Sequence, residues 1–241
     1  MSQAKKIATD ESGLNLDGLG YPWGYELAVE AFRSRDGERF AVAGYSRHVM
    51  LRTVIENWKA LRERGMLPAA LVQAIIGCKV NNRRWNPNDI AGYLVCCKEQ
   101  CGMEGIRACG EDPGYAHPET GITLYRGVAG VGRSRKVKGV SWTDDLGVAS
   151  WYARRLHMPD PAVFATEVCI GEVFCFTDKR CEREYLIDPR YIAVHKLTLS
   201  NEQMGGRAGA WMKVRQEKEK GEMAKLAAKL RRESQGKAAG S

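Results

Sequence analysis

The sequence predicts an α+β protein, with a helical first half, a strand-rich second half and a charged helical tail. Three observations predict it. Apolar residues recur at helical spacing between about residues 46 and 97. Past the loop punctuated by Pro113-Gly114 and His117-Pro118, they gather instead into short runs rich in β-branched and aromatic residues. From Asn201 onward Lys, Arg and Glu dominate, with a thin apolar stripe at Met223, Leu226, Ala227 and Leu230. The expected organisation is a flexible N-terminus over 1–20, a helical subdomain over 21–120, a β core over 121–200 and a basic helical or disordered tail over 201–241.

Each element has its own signal. Tyr21-Pro22-Trp23-Gly24-Tyr25 is an aromatic turn that anchors the next segment of chain. A helix is predicted from Ser46, a good N-cap, to Arg64, with Met50, Val54, Trp58 and Leu61 on one face and Gly65 ending it. Pro68 opens a second helix through Gly77, with Leu71, Val72, Ile75 and Ile76 inward. A third starts near Asn88 or Asp89 and runs through Ile90, Tyr93, Leu94 and Cys97. Strands are predicted at Ile122–Tyr125, Val137–Trp142, Ala162–Val168, Val173–Phe176, Tyr185–Ile187 and Ile192–Leu199. One helix interrupts them, from Asp144 to His157, capped by Thr143 or Asp144.

Composition limits the function classes. The chain has 241 residues, enough for a sizeable core. Its formal charge is +8 and its pI about 9.1. That balance favours polyanionic partners or an anionic cofactor, the alternative being charge that serves solubility alone. No apolar run reaches the ~20 residues of a membrane helix, and Met1 to Gly20 has no signal-peptide core. A cytoplasmic protein with no membrane partner is the expectation. Eight cysteines in such a chain are expected to be free thiols. Cys96, Cys97, Cys101 and Cys109 with His117 lack paired Cys-x-x-Cys knuckles, so no metal is expected.

Three short contexts carry the chemistry: Leu124-Tyr125-Arg126-Gly127, Ser141-Trp142-Thr143 and Glu182-Arg183-Glu184-Tyr185-Leu186-Ile187. A strand ending in Arg, a strand ending in Ser-x-Thr and a Glu-x-Glu opening an apolar strand, in that order, resemble the Arg–Ser–Glu class of mono-ADP-ribosyltransferases. The resemblance covers about Gly121 to Leu199. It implies a mixed, split β-sheet core and NAD as substrate, cleaved at the nicotinamide–ribose bond without a metal. It makes Glu184 the catalytic glutamate and Glu182 a second carboxylate toward the acceptor. Arg126 then holds the phosphate side of NAD, Gly127 admits the nicotinamide carboxamide, and Ser141 and Thr143 support the site. The chemistry agrees with those residue types. Guanidinium pairs with phosphate bidentately, and a carboxylate stabilises the positive charge that develops on the ribose. Positions two apart on a strand share a face, which would turn Glu182 and Glu184 into one cleft and Trp142 away from Ser141 and Thr143. Trp142 is bulkier than the residue usual there. Trp151 and Tyr152 are the nearest aromatics for stacking on nicotinamide, and core packing is the simpler reading of both.

Taken singly, each context has a plain structural reading. Arg126 can be a surface strand residue, Ser141 and Thr143 a strand end, and the two glutamates a solvated hairpin edge. No serine or cysteine elbow accompanies His117, His157 or His195, and Gly127 to Gly132 opens no helix as a phosphate loop must.

The acceptor is where the signals divide. Glu182 favours protein arginine by the resemblance. Net charge, Arg83-Arg84-Trp85, the loop Arg133 to Lys138 and the tail favour nucleic acid, RNA or DNA, which lysine and arginine bind through phosphate. Lys179 and Arg180, just before Glu182, are the expected acceptor-binding residues; like charge there repels a guanidinium and tips the expectation narrowly to nucleic acid. Some members of the class are toxins of antiphage defence, so a toxin or defence effector is one expectation; an enzyme that consumes NAD or modifies RNA in its own cytosol needs restraint, which makes an inhibitory, antitoxin-like partner another. A non-enzymatic nucleic-acid-binding protein with structural carboxylates is the alternative from another class.

Overall fold

Pro22 opens the first helix, α1 (Pro22–Ser34), because its fixed φ suits the first helical position. Arg35 closes it in the left-handed region (φ 60°), and its amide returns to the carbonyls of Ala31 and Phe32. The computed structural model describes residues 13–44, 47–78, 85–110, 112, 115–132, 135–178 and 180–238. In the first half α1 is followed by α2 (Gly37–Val42), α3 (Arg47–Glu56), α4 (Trp58–Glu63), α5 (Leu67–Cys78) and α6 (Pro87–Ala108). The expected cap Ser46 lies outside the described residues. α1 and α2 were not expected; α2 is only six residues long, too short for a periodic signal.

One side chain explains two departures from expectation. The single helix predicted over 46–64 is broken between α3 and α4 at Asn57, whose backbone leaves the helical region (φ −110°, ψ 13°). Asn57 is buried, and its amide donates to the carbonyls of Asn15 and Thr53, both at 2.8 Å. Its Oδ1 accepts from the Asn15 amide at 2.6 Å. Residues 13–20 are therefore not loose: Leu14 and Leu16 are buried in the helical core beside this bond pair. The rest of the expected flexible segment lies outside the described residues.

The second half forms a six-stranded sheet in the order β4-β5-β2-β1-β3-β6. Its strands are β1 (Ile122–Val128), β2 (Ser141–Thr143), β3 (Ala162–Val168), β4 (Val173–Thr177), β5 (Glu184–Ile187) and β6 (His195–Lys196). Every neighbouring pair is antiparallel, so the expectation of a mixed, split sheet is corrected. The sheet is nonetheless pinched. β1 and β3 are in register from Ile122↔Val168 to Val128↔Ala162, whereas β1 and β2 meet at one pair, Tyr125↔Thr143. Two predicted strands shrink. Val137–Trp142 becomes Ser141–Thr143, and Ile192–Leu199 becomes His195–Lys196. The residues before Ser141 instead wrap Arg126. A Cβ on Gly139 would stand 2.5 Å from its guanidinium.

Helix α7 (Leu146–Arg154) follows β2 and is capped by Asp145, not by Thr143 or Asp144; its carboxylate accepts from the amides of Gly147 and Val148 at 2.6 and 3.2 Å. The Thr143 hydroxyl donates instead to the Glu182 carbonyl. Helix α8 (Asn201–Ala238) replaces the alternative of a disordered tail over its described length. It packs on α7 through Met204 and Trp211, while Met223 and Leu226 stay exposed.

The helical half and the sheet share one core. Val140, Phe174, Cys175 and Leu186 pack with helical residues such as Leu71, Ile76 and Leu94. A second cluster on the sheet joins Trp142, Tyr185 and Ile187 with Leu124 and Phe176. Trp142 thus points away from the cleft strand face, as alternation predicts. Among the described residues no helix is long and apolar enough to cross a membrane, and no group of three His, Cys, Asp or Glu side chains is placed to hold a metal ion. Burial raises the Cys97 thiol well above its ordinary value and Cys109 to about 11.

Candidate active site

The pinch between β1 and β2 opens onto a narrow cleft of about 40 Å³, well below the ~300–1,000 Å³ usual for small-molecule sites. Arg126, Gly127, Ser141, Thr143, Glu182 and Glu184 all line it, so the three sequence contexts converge. Glu184 opens β5 opposite Thr143 of β2. Its carboxylate is buried, accepting from Ser141 Oγ at 2.5 Å through Oε1 and from Arg180 Nη2 at 2.6 Å through Oε2. Burial is the largest influence on it and raises its pKa, against the lowering effect of Arg180 and Ser141.

Glu182 reaches the same cleft by another route than the one predicted. It precedes β5 and is not on a strand. Cys181 and Arg183 on either side adopt positive φ (56° and 44°), which non-glycine residues rarely do and at a cost of order 1–3 kcal/mol each. The turn is held around Asp178. That residue's carbonyl accepts from the Cys181 amide at 2.8 Å and its carboxylate from the Arg183 amide at 3.1 Å. Thr143 Oγ1 holds the Glu182 carbonyl at 2.8 Å. Arg183 is turned outward onto Asp144, with both bonds at 2.5–2.6 Å. Trp211 of α8 donates its indole N–H to the Cys181 carbonyl at 3.0 Å.

Two residues have roles the sequence reading missed. Tyr152, read as core, faces the cleft and donates its hydroxyl to Glu182 Oε2 at 2.7 Å. Burial, then the Glu182 charge, raises its pKa strongly. Its signal was the helical period that sets 148, 149 and 152 on one face. Trp151 does pack away, against Trp211 at 5.3 Å between ring centroids. Arg180, expected to face the acceptor, is turned inward. Its Nη2 bridges Glu184 Oε2 at 2.6 Å and Glu182 Oε2 at 3.1 Å, while Nη1 donates to the Ile76 carbonyl of α5. Burial lowers its pKa, but the two carboxylates outweigh that and hold it charged. Lys179 lies outside the described residues.

Arg126 is buried at the inner wall and donates to the carbonyls of Ser141 and Lys136. Burial brings its pKa down to about 10, with the Glu184 charge opposing. The need for Gly127 has a packing cause. A Cβ there would stand 1.7 Å from the Ala149 carbonyl oxygen of α7. The basic loop is partly engaged within the fold: Arg135 pairs with Asp160, and Lys136 Nζ donates to the Trp85 carbonyl at 2.9 Å. Arg83, Arg84 and Arg133 lie outside the described residues. Comparison with models of protein families, with curated proteins and with solved structures finds no match for this chain.

Proposed function

We propose that the protein is a mono-ADP-ribosyltransferase that cleaves NAD at the nicotinamide–ribose bond and transfers ADP-ribose to an acceptor. The observation that carries this reading is the convergence of Arg126, Ser141 and Glu184 in one cleft, with the Ser141 hydroxyl bonded to the Glu184 carboxylate. The residue types fit NAD. A charged guanidinium at the inner wall suits the phosphates. A carboxylate held by a hydroxyl and a guanidinium suits a ribose that becomes cationic as its bond to nicotinamide breaks. Fixing Glu184 in advance avoids reorganisation at the moment of reaction. Glu182, held by Tyr152 and Arg180, is placed to take a proton from the attacking acceptor.

For the acceptor, the same geometry favours a guanidino group. Arg180 already donates to Glu184 at 2.6 Å and is ion-paired with Glu182 at 3.1 Å through the same nitrogen, so this end of the cleft receives a guanidinium between the two carboxylates. With Arg180 turned inward, its charge no longer argues for a polyanion there. A nucleic-acid acceptor is the second reading, favoured by α8. Lys218 touches Asp178 of the Glu182 turn at 3.3 Å, and Lys225 and Lys229 follow at spacings that share its helix face. Incubation of the full chain with NAD labelled in the adenylate half, with free arginine, RNA or DNA added, separates these readings. Nicotinamide release with label on arginine is expected. Label that nuclease removes supports the second reading. No nicotinamide release under any of these conditions overturns the enzyme and leaves a binding protein with structural carboxylates.

A further inference from the structure

Asp144 has no part in capping α7, which its neighbour Asp145 does, yet three hydrogen bonds converge on its carboxylate. Arg183 donates through Nε at 2.6 Å and Nη2 at 2.5 Å, and the Tyr185 hydroxyl donates at 2.9 Å. We infer that Asp144 is a positioning residue for Glu182, and that through Arg183 it sets how much ADP-ribose reaches an acceptor and how much is lost to water. The inference rests on the transferase reading.

The connection runs through one peptide bond, that between Glu182 and Arg183. Its carbonyl accepts from Thr143 Oγ1 at 2.8 Å, and its N–H donates to the Asp178 carboxylate at 3.1 Å. The residues on either side of Glu182, Cys181 and Arg183, hold left-handed backbone. An arginine at φ 44° is strained, and rotation of this peptide would relieve the strain. The same rotation would break both bonds and turn Glu182 away from the cleft. Tyr152 and Arg180 hold the Glu182 carboxylate inside the cleft, but they leave the direction of its backbone to the turn. Asp144 acts on that backbone from outside. A carboxylate that accepts two bonds from one guanidinium fixes its plane as well as its position, so Arg183 resists following the rotation. Thr143 and Asp144 are consecutive. The end of β2 therefore grips the turn at two points, the Glu182 carbonyl and the Arg183 guanidinium.

Asp144 is itself fixed from behind. Tyr185 follows Glu184 on β5 and points to the opposite face of the sheet. Its hydroxyl has one proton to give. With that proton on Asp144, the Tyr115 hydroxyl at 2.8 Å donates to Tyr185 in turn. The Tyr115 ring stacks on Phe176 with 3.7 Å between centroids, which seats the chain of bonds in the second core cluster. The Glu184 carboxylate shares none of these bonds, being held by Ser141 and Arg180. Disturbing Asp144 thus reaches Glu182 before Glu184, and its signature is a change in the fate of ADP-ribose more than in the release of nicotinamide.

The test measures two rates on the full chain with NAD, transfer to free arginine and hydrolysis by water. In Asp144→Ala, transfer is expected to fall by about 10–10²-fold, the scale set by displacing a reacting group by about an ångström, with the loss in kcat. Hydrolysis is expected to fall clearly less. Asp144→Asn keeps one acceptor oxygen and should lose less in the same direction; it carries the test if the alanine variant does not fold. Adding Arg183→Gly to Asp144→Ala is the decisive step. Glycine adopts positive φ without the strain, so the turn no longer needs a pinned side chain, and transfer should recover toward the wild-type rate. Equal losses in the two reactions with no recovery in the double variant would make Asp144 a packing residue and overturn the inference. So would unchanged transfer by folded Asp144→Ala. A wild type that releases nicotinamide but labels no arginine removes the role given to Glu182, and with it this inference, while cleavage at Glu184 stands. No release by the wild type removes the transferase reading and this inference together.

Discussion

Two side chains on one face of β5 make the most instructive comparison in the molecule. Glu184 and Leu186 are two residues apart on the strand, equally removed from solvent at 5% and 0% exposure. Leu186 meets Val140, Cys175 and the helical half in a dry core. Glu184 meets a hydroxyl, a guanidinium and a second carboxylate at the pinch in the sheet. A buried carboxylate without partners would be far less favourable than a leucine there. The difference shows what the pinch does. Where β1 and β2 stay in contact through one pair, the gap fills with polar groups aimed at one point. Where the strands are backed by helices, the same alternation only builds core.

Exchanging the two environments gives the largest effects. On the proposed transferase reading, Glu184→Gln keeps the volume and removes the charge that acts on the developing ribose cation. Nicotinamide release is expected to fall by about 10²–10³-fold, the usual loss for one preorganised electrostatic group, while NAD affinity measured by calorimetry changes little. Full release by that variant would mean the carboxylate is misassigned. The pH dependence has a definite sign. Glu184 is raised above its ordinary value of 4.5, so its folded form binds a proton more tightly than its unfolded form. Its contribution to stability is fully present below that ordinary value and is lost as pH rises through the raised one. On the proposed reading activity needs the carboxylate, and it is expected to rise over the same interval. The stability of the wild type relative to Glu184→Gln, measured by thermal unfolding, should therefore fall as pH increases from acid toward neutral. A constant difference would place the titration elsewhere.

At the other end of the strand face, Leu186→Ala removes core and no chemistry. A loss of about 2–5 kcal/mol is expected in urea unfolding, from lost transfer and the cavity left behind. Under conditions where the variant is folded, nicotinamide release per folded chain should be retained. A selective loss of activity at full stability would show that the helical half tunes the cleft and does more than support it.

Legibility followed the range of the interactions. Arg126, Ser141 and Glu184 were readable because each sits in a strand whose pattern is local. The helices α5 and α6 were readable for the same reason, through their apolar period. What escaped was decided by partners far along the chain. Asn57 breaks a periodic helix because it bonds Asn15, 42 residues earlier. Arg180 looked like an outward basic residue beside Lys179, and its direction is set by the Ile76 carbonyl, 104 residues away. Glu182 entered the cleft as predicted, but through two left-handed residues and the Thr143 hydroxyl, and no strand alternation was involved. Gly127 was assigned to cofactor approach, and the structure adds α7 as a neighbour that any side chain there would strike.

The smallest expected effect tests whether α8 belongs to the cleft end of this comparison or to the core end. Trp211 does both kinds of work. Its ring packs on Trp151, and its N–H holds the Cys181 carbonyl beside Glu182. Trp211→Phe keeps an aromatic ring and deletes the hydrogen bond, so a stability loss of about 1 kcal/mol is expected, the typical net value of one such bond. The strained turn makes activity the more informative measurement. With Cys181 released, left-handed backbone at 181 and 183 has less to oppose it, and Glu182 should lose its fixed position before Glu184 does. On the proposed reading, in which the acceptor proton goes to Glu182 and bond cleavage depends on Glu184, ADP-ribose transfer to arginine is expected to fall more than NAD hydrolysis by water. Equal losses in the two reactions would assign α8 to packing alone.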